Sequence, residues 1–129
     1  MRPDLQQKLF DDFPLLYDRD SSIQESAMCF GFECGNGWYE LIRELSEQLY
    51  PLIEAWDRQL EFDDYPPRAV QVKEKYGTLR FYMSSSTSEM ENIIDEFEEK
   101  SEKICEICGK EGDIDFSQQW YAVRCDDHR

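Results

Sequence analysis

Residues 105–128, CEICGKEGDIDFSQQWYAVRCDDH, hold two cysteines two residues apart, then a cysteine and a histidine with the same gap. Cys105, Cys108, Cys125 and His128 therefore form two ligand pairs, each presented by one tight turn, and such pairs suit a tetrahedral zinc ion. Three thiolates and an imidazole fill four positions. No coordination site remains for an activated water, so the zinc is expected to be structural rather than catalytic. An iron site and fortuitous spacing are the alternatives. Between the pairs, IDFSQQWYAVR reads as two short strands able to form a hairpin, and the glycine after Cys108 lets backbone amides approach the sulfurs. One residue follows His128, which favours a zinc ribbon or a shortened treble clef. Residues 105–129 thus read as a zinc-binding module beside a core domain over 1–104.

Immediately upstream, residues 87–104 predict a helix with Met90, Ile93, Ile94, Phe97 and Ile104 as its buried stripe. Ser88 followed by Glu91 fits a capping box. Before it, AVQVKEKYGTLRFYMS within 68–84 reads as a hairpin turning at Tyr76 to Thr78. Alternation puts Val70, Val72, Leu79, Phe81 and Met83 on one face, and Lys73, Lys75, Arg80 and Tyr82 on the other.

Further upstream, FDDYPP at 62–67 reads as a linker. From Trp38, the positions Leu41, Ile42, Leu45, Leu49, Leu52, Ile53 and Trp56 follow a helical period, which Pro51 is expected to kink or break. Met28, Phe30 and Phe32 alternate in SAMCFGFECG, predicting a strand that Gly35, Asn36 and Gly37 turn. Residues 3–12 predict a short amphipathic helix, and YDRDSS a polar loop. The order helix, strand, helix, hairpin, helix, zinc module indicates an α+β fold with a small, mainly antiparallel sheet and packed helices.

A 129-residue chain of 40% hydrophobic and 14% aromatic residues is long and apolar enough to fold as a globule despite its 33% charged residues. No run of eighteen apolar residues exists to span a membrane, and the opening MRPDLQQKLFDDF lacks the apolar core of a signal peptide. A cytoplasmic location is expected, and with it reduced thiols. Cys29 and Cys34, on opposite faces of the expected strand, are read as small side chains rather than a disulfide or a second metal pair.

Net charge is −15 and very uneven: residues 1–65 carry −10 and 87–104 carry −5, whereas 66–86 carry +3. A chain this acidic is a poor general binder of nucleic acid and a better match for a basic-surfaced partner. The acids Glu89, Glu91, Asp95, Glu96, Glu98, Glu99 and Glu102 are spaced along the 87–104 helix as phosphates are along DNA. No catalytic constellation competes: His128 is committed to metal, and no nucleophile has a visible base. An enzyme is therefore not expected.

Three motifs, GNGWYELI, VQVKEKYGTLRFY and CEICGKEG with CDDH, resemble those of a group of small uncharacterised bacterial and phage or prophage proteins, over roughly residues 29–128. In that group an Asp is common where Asn36 stands, and Phe-Gly-Gly where Tyr76, Gly77 and Thr78 stand. The resemblance implies a mobile-element setting and a shared zinc module, and it supplies no activity or catalytic residue.

Charge and motifs together predict a non-enzymatic, zinc-binding interaction protein, phage-encoded. It would inhibit a basic host protein, such as a nucleic-acid-binding defence nuclease, by nucleic-acid mimicry. Its contact residues would be Glu89, Glu91, Asp95, Glu98, Glu99 and Glu102. The alternative is a zinc-dependent nucleic-acid-binding or regulatory protein that uses the basic hairpin 68–83 through Lys73, Lys75, Arg80 and Tyr82.

Overall fold

The computed structural model describes residues 1–17, 26–59, 67–117 and 119–129. The expected linker, apart from Pro67, and the polar loop beyond Tyr17 lie outside them. The architecture is α+β. Helix α1 (Pro3–Asp12) is followed by strand β1 (Phe32–Glu33), the long helix α2 (Tyr39–Gln59), the hairpin β2 (Ala69–Lys75) and β3 (Thr78–Met83), and helix α3 (Ser88–Lys100). A second, two-stranded sheet of β4 (Asp113–Asp115) and β5 (Ala122–Arg124) completes it. Among the described residues no helix is long and apolar enough to cross a membrane.

The hairpin forms as its alternation requires. Lys75 pairs with Thr78 across a two-residue turn, Tyr76 and Gly77, whose φ values of 54° and 86° make it the type I′ turn that matches strand twist. Lys73 stands opposite Arg80 and Val72 opposite Phe81, so cations share one face and apolar residues the other. The expected apolar face needs one correction, at Val70. A bulge between Ala69 and Gln71 shifts the register there, so Ala69 is buried and Val70 only half-buried.

The expected strand over 26–35 is mostly absent. Met28–Phe30 is instead a 3-10 turn, and Gly31 at φ 74° breaks any extended run before the two residues of β1. Phe30 is consequently exposed while Met28 and Phe32 are buried. Gln6 of α1 reaches into this corner, and its Oε1 accepts the Phe32 N–H at 2.9 Å. β1 runs parallel to β2, with Phe32 opposite Val72. Cys29 is exposed in the turn and Cys34 buried after β1, both as free thiols. Burial pushes the Cys34 thiol up to about 12, so it is inert.

Pro51 does not break α2, which runs unbroken from Tyr39 to Gln59. The proline is exposed, so the carbonyl four residues earlier, left without its usual donor, lies on the solvent side of the helix. Nor is α3 capped where expected. Thr87 is the N-cap, its hydroxyl accepting the Met90 N–H at 3.2 Å, while Glu91 accepts a hydrogen bond from the Ser86 hydroxyl at 2.9 Å.

Leu41, Ile42, Leu45, Leu49 and Ile53 of α2 and Met90, Ile94 and Phe97 of α3 meet Val72, Leu79 and Phe81 of the sheet in one core, joined by Leu9, Phe13 and Leu16. A buried hydrogen bond crosses it: Ser46 Oγ donates to the Ile42 carbonyl at 2.7 Å, leaving it to accept from the Tyr17 hydroxyl at 2.6 Å. β3 is the edge of its sheet, and α3 closes that edge. Ser101 Oγ accepts the Leu79 N–H at 2.9 Å and Glu98 Oε2 accepts the Phe81 N–H at 2.9 Å, so two donors of this edge strand are paired by side chains.

Candidate metal centre

A short stretch after α3 turns the chain into the first ligand pair. Cys105 donates its N–H to the Lys110 carbonyl at 2.8 Å and accepts that of Gly109 on its own carbonyl at 2.8 Å, which folds residues 105–110 into a compact knuckle. β4 and β5 then pair, with Ile114 opposite Val123, and return the chain to the knuckle. Cys125 begins a 3-10 turn, Asp126–His128, closed by the His128 N–H on the Cys125 carbonyl at 3.1 Å. Knuckle, hairpin and helical turn follow in the order of a treble clef with a single turn in place of its helix.

These elements bring Cys105, Cys108, Cys125 and His128 together, their ligand atoms all within 4.8 Å of one another. Cys108 Sγ lies 3.5 Å from Cys125 Sγ, and His128 Nδ1 lies 3.1 Å from Cys125 Sγ and 3.7 Å from Cys105 Sγ. Metal–sulfur bonds of about 2.3 Å at tetrahedral angles place two sulfurs roughly 3.8 Å apart, so the four atoms sit close to the corners one ion requires. The donor set can hold a metal ion, and the backbone prepares it. Burial alone would raise the Cys105 thiol, but amides of Cys108, Cys125 and Ile107 donate to its sulfur and hold it down at about 6, close to the thiolate a metal needs.

The knuckle is seated on the core by the GNGW segment, residues 35–38. The Gly37 N–H donates to the Glu106 carbonyl at 2.7 Å, the Gly35 N–H to Glu106 Oε2 at 2.8 Å, and Trp38 Nε1 to the Ile104 carbonyl at 2.9 Å. A β-carbon at position 37 would lie 2.1 Å from the Cys105 carbonyl oxygen, so only glycine permits this approach. The hairpin tip makes the second seat: a β-carbon at Gly77 would lie 3.0 Å from the Tyr121 carbonyl carbon. GNGW thus seats the CEIC knuckle, and KYGT seats the chain entering β5. Asn36 joins it by accepting the Arg2 N–H on Oδ1 at 2.7 Å, a bond an aspartate would also accept.

The other expected contact residues divide. Glu89, Glu91, Asp95 and Glu99 are exposed on α3 and Glu102 just after it, but Glu98 is half-buried and committed to the Phe81 N–H. Lys73, Lys75, Arg80 and Tyr82 do share one sheet face. Arg80 and Tyr82 also line an open groove of ≈ 590 Å³ with Glu91, Asp95 and Glu98, so the basic and acidic surfaces adjoin along β3. The sequence reading missed the exposed aromatics Tyr76, Phe116, Trp120 and Tyr121. For Phe116, Trp120 and Tyr121 the signal was available in FSQQWY, rings flanking polar residues within the stretch read as a hairpin. Comparison with family models, curated proteins and solved structures finds no match.

Proposed function

We propose that the chain is a non-enzymatic interaction protein, stapled by a structural zinc ion, that docks an acidic helix face into a cationic, nucleic-acid-binding groove of another protein. The observation that carries this reading is the state of the acids on and just after α3. Among the described residues Glu89, Glu91, Asp95, Glu99 and Glu102 are exposed and none enters an ion pair, although Lys100 and Lys103 are close by in sequence. Unpaired carboxylates along a rigid helix cost like-charge repulsion, which a basic partner relieves. Zinc is the ion of choice because three thiolates and an imidazole at tetrahedral spacing match its preference. With all four positions filled, its part is to hold the fold. Resemblance of the three motifs to phage and prophage proteins supports a target in the host, an inhibited defence nuclease being the fitting kind.

The test is affinity capture from host lysate with metal-loaded protein, after nuclease treatment, comparing wild type with a Glu91→Gln, Asp95→Asn, Glu99→Gln, Glu102→Gln variant. Glu98 is left intact because it closes the sheet edge. Wild type should retain a basic nucleic-acid-handling protein that the variant loses. Equal retention by the variant would contradict the reading.

A further inference from the structure

Exposed aromatic rings gather where the two hairpin tips touch. Trp120 is 80% exposed, Tyr76 71%, Phe116 67% and Tyr121 47%, unusual values for rings that together could cover much of a partner. Phe116 and Tyr121 pack edge to face at 5.0 Å, and the Tyr121 backbone abuts Gly77, beside Tyr76. Tyr76 keeps its ring in the open from a backbone at φ 54°, a conformation that disfavours a bulky side chain and that Asn or Gly would adopt with less strain.

Cations lead up to these rings. Lys73 and Arg80 are cross-strand neighbours, and Lys75 follows on the same face with its Nζ 5.7 Å from the centre of the Tyr76 ring. In a chain with 29 acids and 14 bases, Lys and Arg side chains readily find carboxylates, as Arg2, Arg43, Arg68, Lys103 and Arg124 do. Among the described residues Lys73, Lys75 and Arg80 form no ion pair.

We infer that the joined hairpin tips are a binding site for single-stranded nucleic acid, with rings to stack on bases and the Lys73, Lys75 and Arg80 row to meet phosphates. Charge complementarity chooses a phosphate-bearing ligand, and the rings choose a single strand, because a duplex hides the base faces that rings stack on. Two of the rings, Trp120 and Tyr121, are placed by β5, which the ligand cluster positions, so the metal would organise this site without touching the strand. The site adjoins the acidic α3 face through Arg80 but uses none of its acids, and it survives if that reading fails.

The experiment is anisotropy of a fluorescein-labelled oligothymidylate titrated with metal-loaded full-length protein. Binding should be present at low salt and weaken with a log–log slope of about −2, as three phosphate contacts on a single strand require. Trp120→Ala and Tyr76→Asn should each weaken it by roughly fivefold or more, as the loss of one stacked base does. Tyr76→Asn should do so while raising the melting temperature, a combination that a merely structural role for the ring would not give. Neutralising the α3 acids should not weaken it. Absence of binding at low salt would overturn the inference, as would full affinity in both ring variants, equal affinity for the matching duplex, or equal competition by polyglutamate.

Discussion

Gly37 and Cys105 meet backbone to backbone: a β-carbon on Gly37 would stand 2.1 Å from the Cys105 carbonyl oxygen, with the Glu106 carbonyl at 2.6 Å. A candidate metal ligand in the last quarter of the chain is thereby fixed against the start of the longest helix. Because the nearest neighbours are backbone atoms, neither side can move aside cheaply.

Gly37→Ala is therefore expected to destabilise the protein by about 1–3 kcal/mol, the usual range for overpacking, and to weaken metal binding at the same time. Thermal denaturation followed by circular dichroism, with a competitive metal titration, checks both. A variant of wild-type stability and metal affinity would show that the knuckle is not seated as described.

Metal removal should be felt beyond residues 105–129. Cys105→Ser or a strong chelator should unfold the β4–β5 region, since the loop between the ligand pairs buries little apart from Val123. Trp38 should report it too, because its indole donates to the Ile104 carbonyl. A change in tryptophan emission on chelation, smaller in a Trp38→Phe variant, is the expected outcome.

Glu98 gives a prediction with a definite sign in pH. Burial holds its carboxyl above the usual range, although the Phe81 N–H and Arg80 favour the charged form. A group with a raised folded-state pKa binds protons more tightly when folded, so its carboxylate costs stability at neutral pH and the cost fades as pH falls through that raised value. Glu98→Gln, which keeps an acceptor for Phe81, should be at least as stable as wild type near neutrality, with the difference shrinking in acid. Glu98→Ala should lose about 1–3 kcal/mol by orphaning that N–H. Urea denaturation across pH measures both.

The helix cap separates two neighbouring residues. Thr87→Ala should cost about 1 kcal/mol and Ser88→Ala much less, since Thr87 Oγ1 accepts the Met90 N–H. Urea midpoints of the two variants decide between them.

Tyr76→Asn is expected to stabilise the hairpin by about 1 kcal/mol, because asparagine tolerates φ 54° better than tyrosine and Asn-Gly is the favoured type I′ pair. A loss of stability would mean that the ring packs against its neighbours instead of standing open.

What could be read from the residues was whatever depends on local spacing. The two ligand pairs, the KYGT turn and Met90, Ile94 and Phe97 of the α3 stripe each follow from a few neighbouring positions and stand where the spacing puts them, whereas Ile104, expected on the same helix, lies in extended backbone after α3 ends at Lys100. What escaped depends on partners distant in the chain. The apparent strand at Met28, Phe30 and Phe32 fails because Gly31 turns and Gln6, twenty-six positions before Phe32, satisfies the released N–H. Glu98 looked like one more surface acid, and only the position of β3 beside α3 makes it a backbone acceptor. Pro51 was expected to interrupt α2, yet its solvent-facing position leaves the missing bond in water. The glycines of GNGW are likewise explained only by the knuckle they receive.

Elemental analysis of protein purified without added metal is the most direct measurement of the central claim, that Cys105, Cys108, Cys125 and His128 hold one ion. The account predicts about one zinc per chain in the wild type and none retained after Cys105→Ser or Cys125→Ser. Metal-free wild-type protein with a full cooperative melt, or zinc kept by both variants, would contradict it.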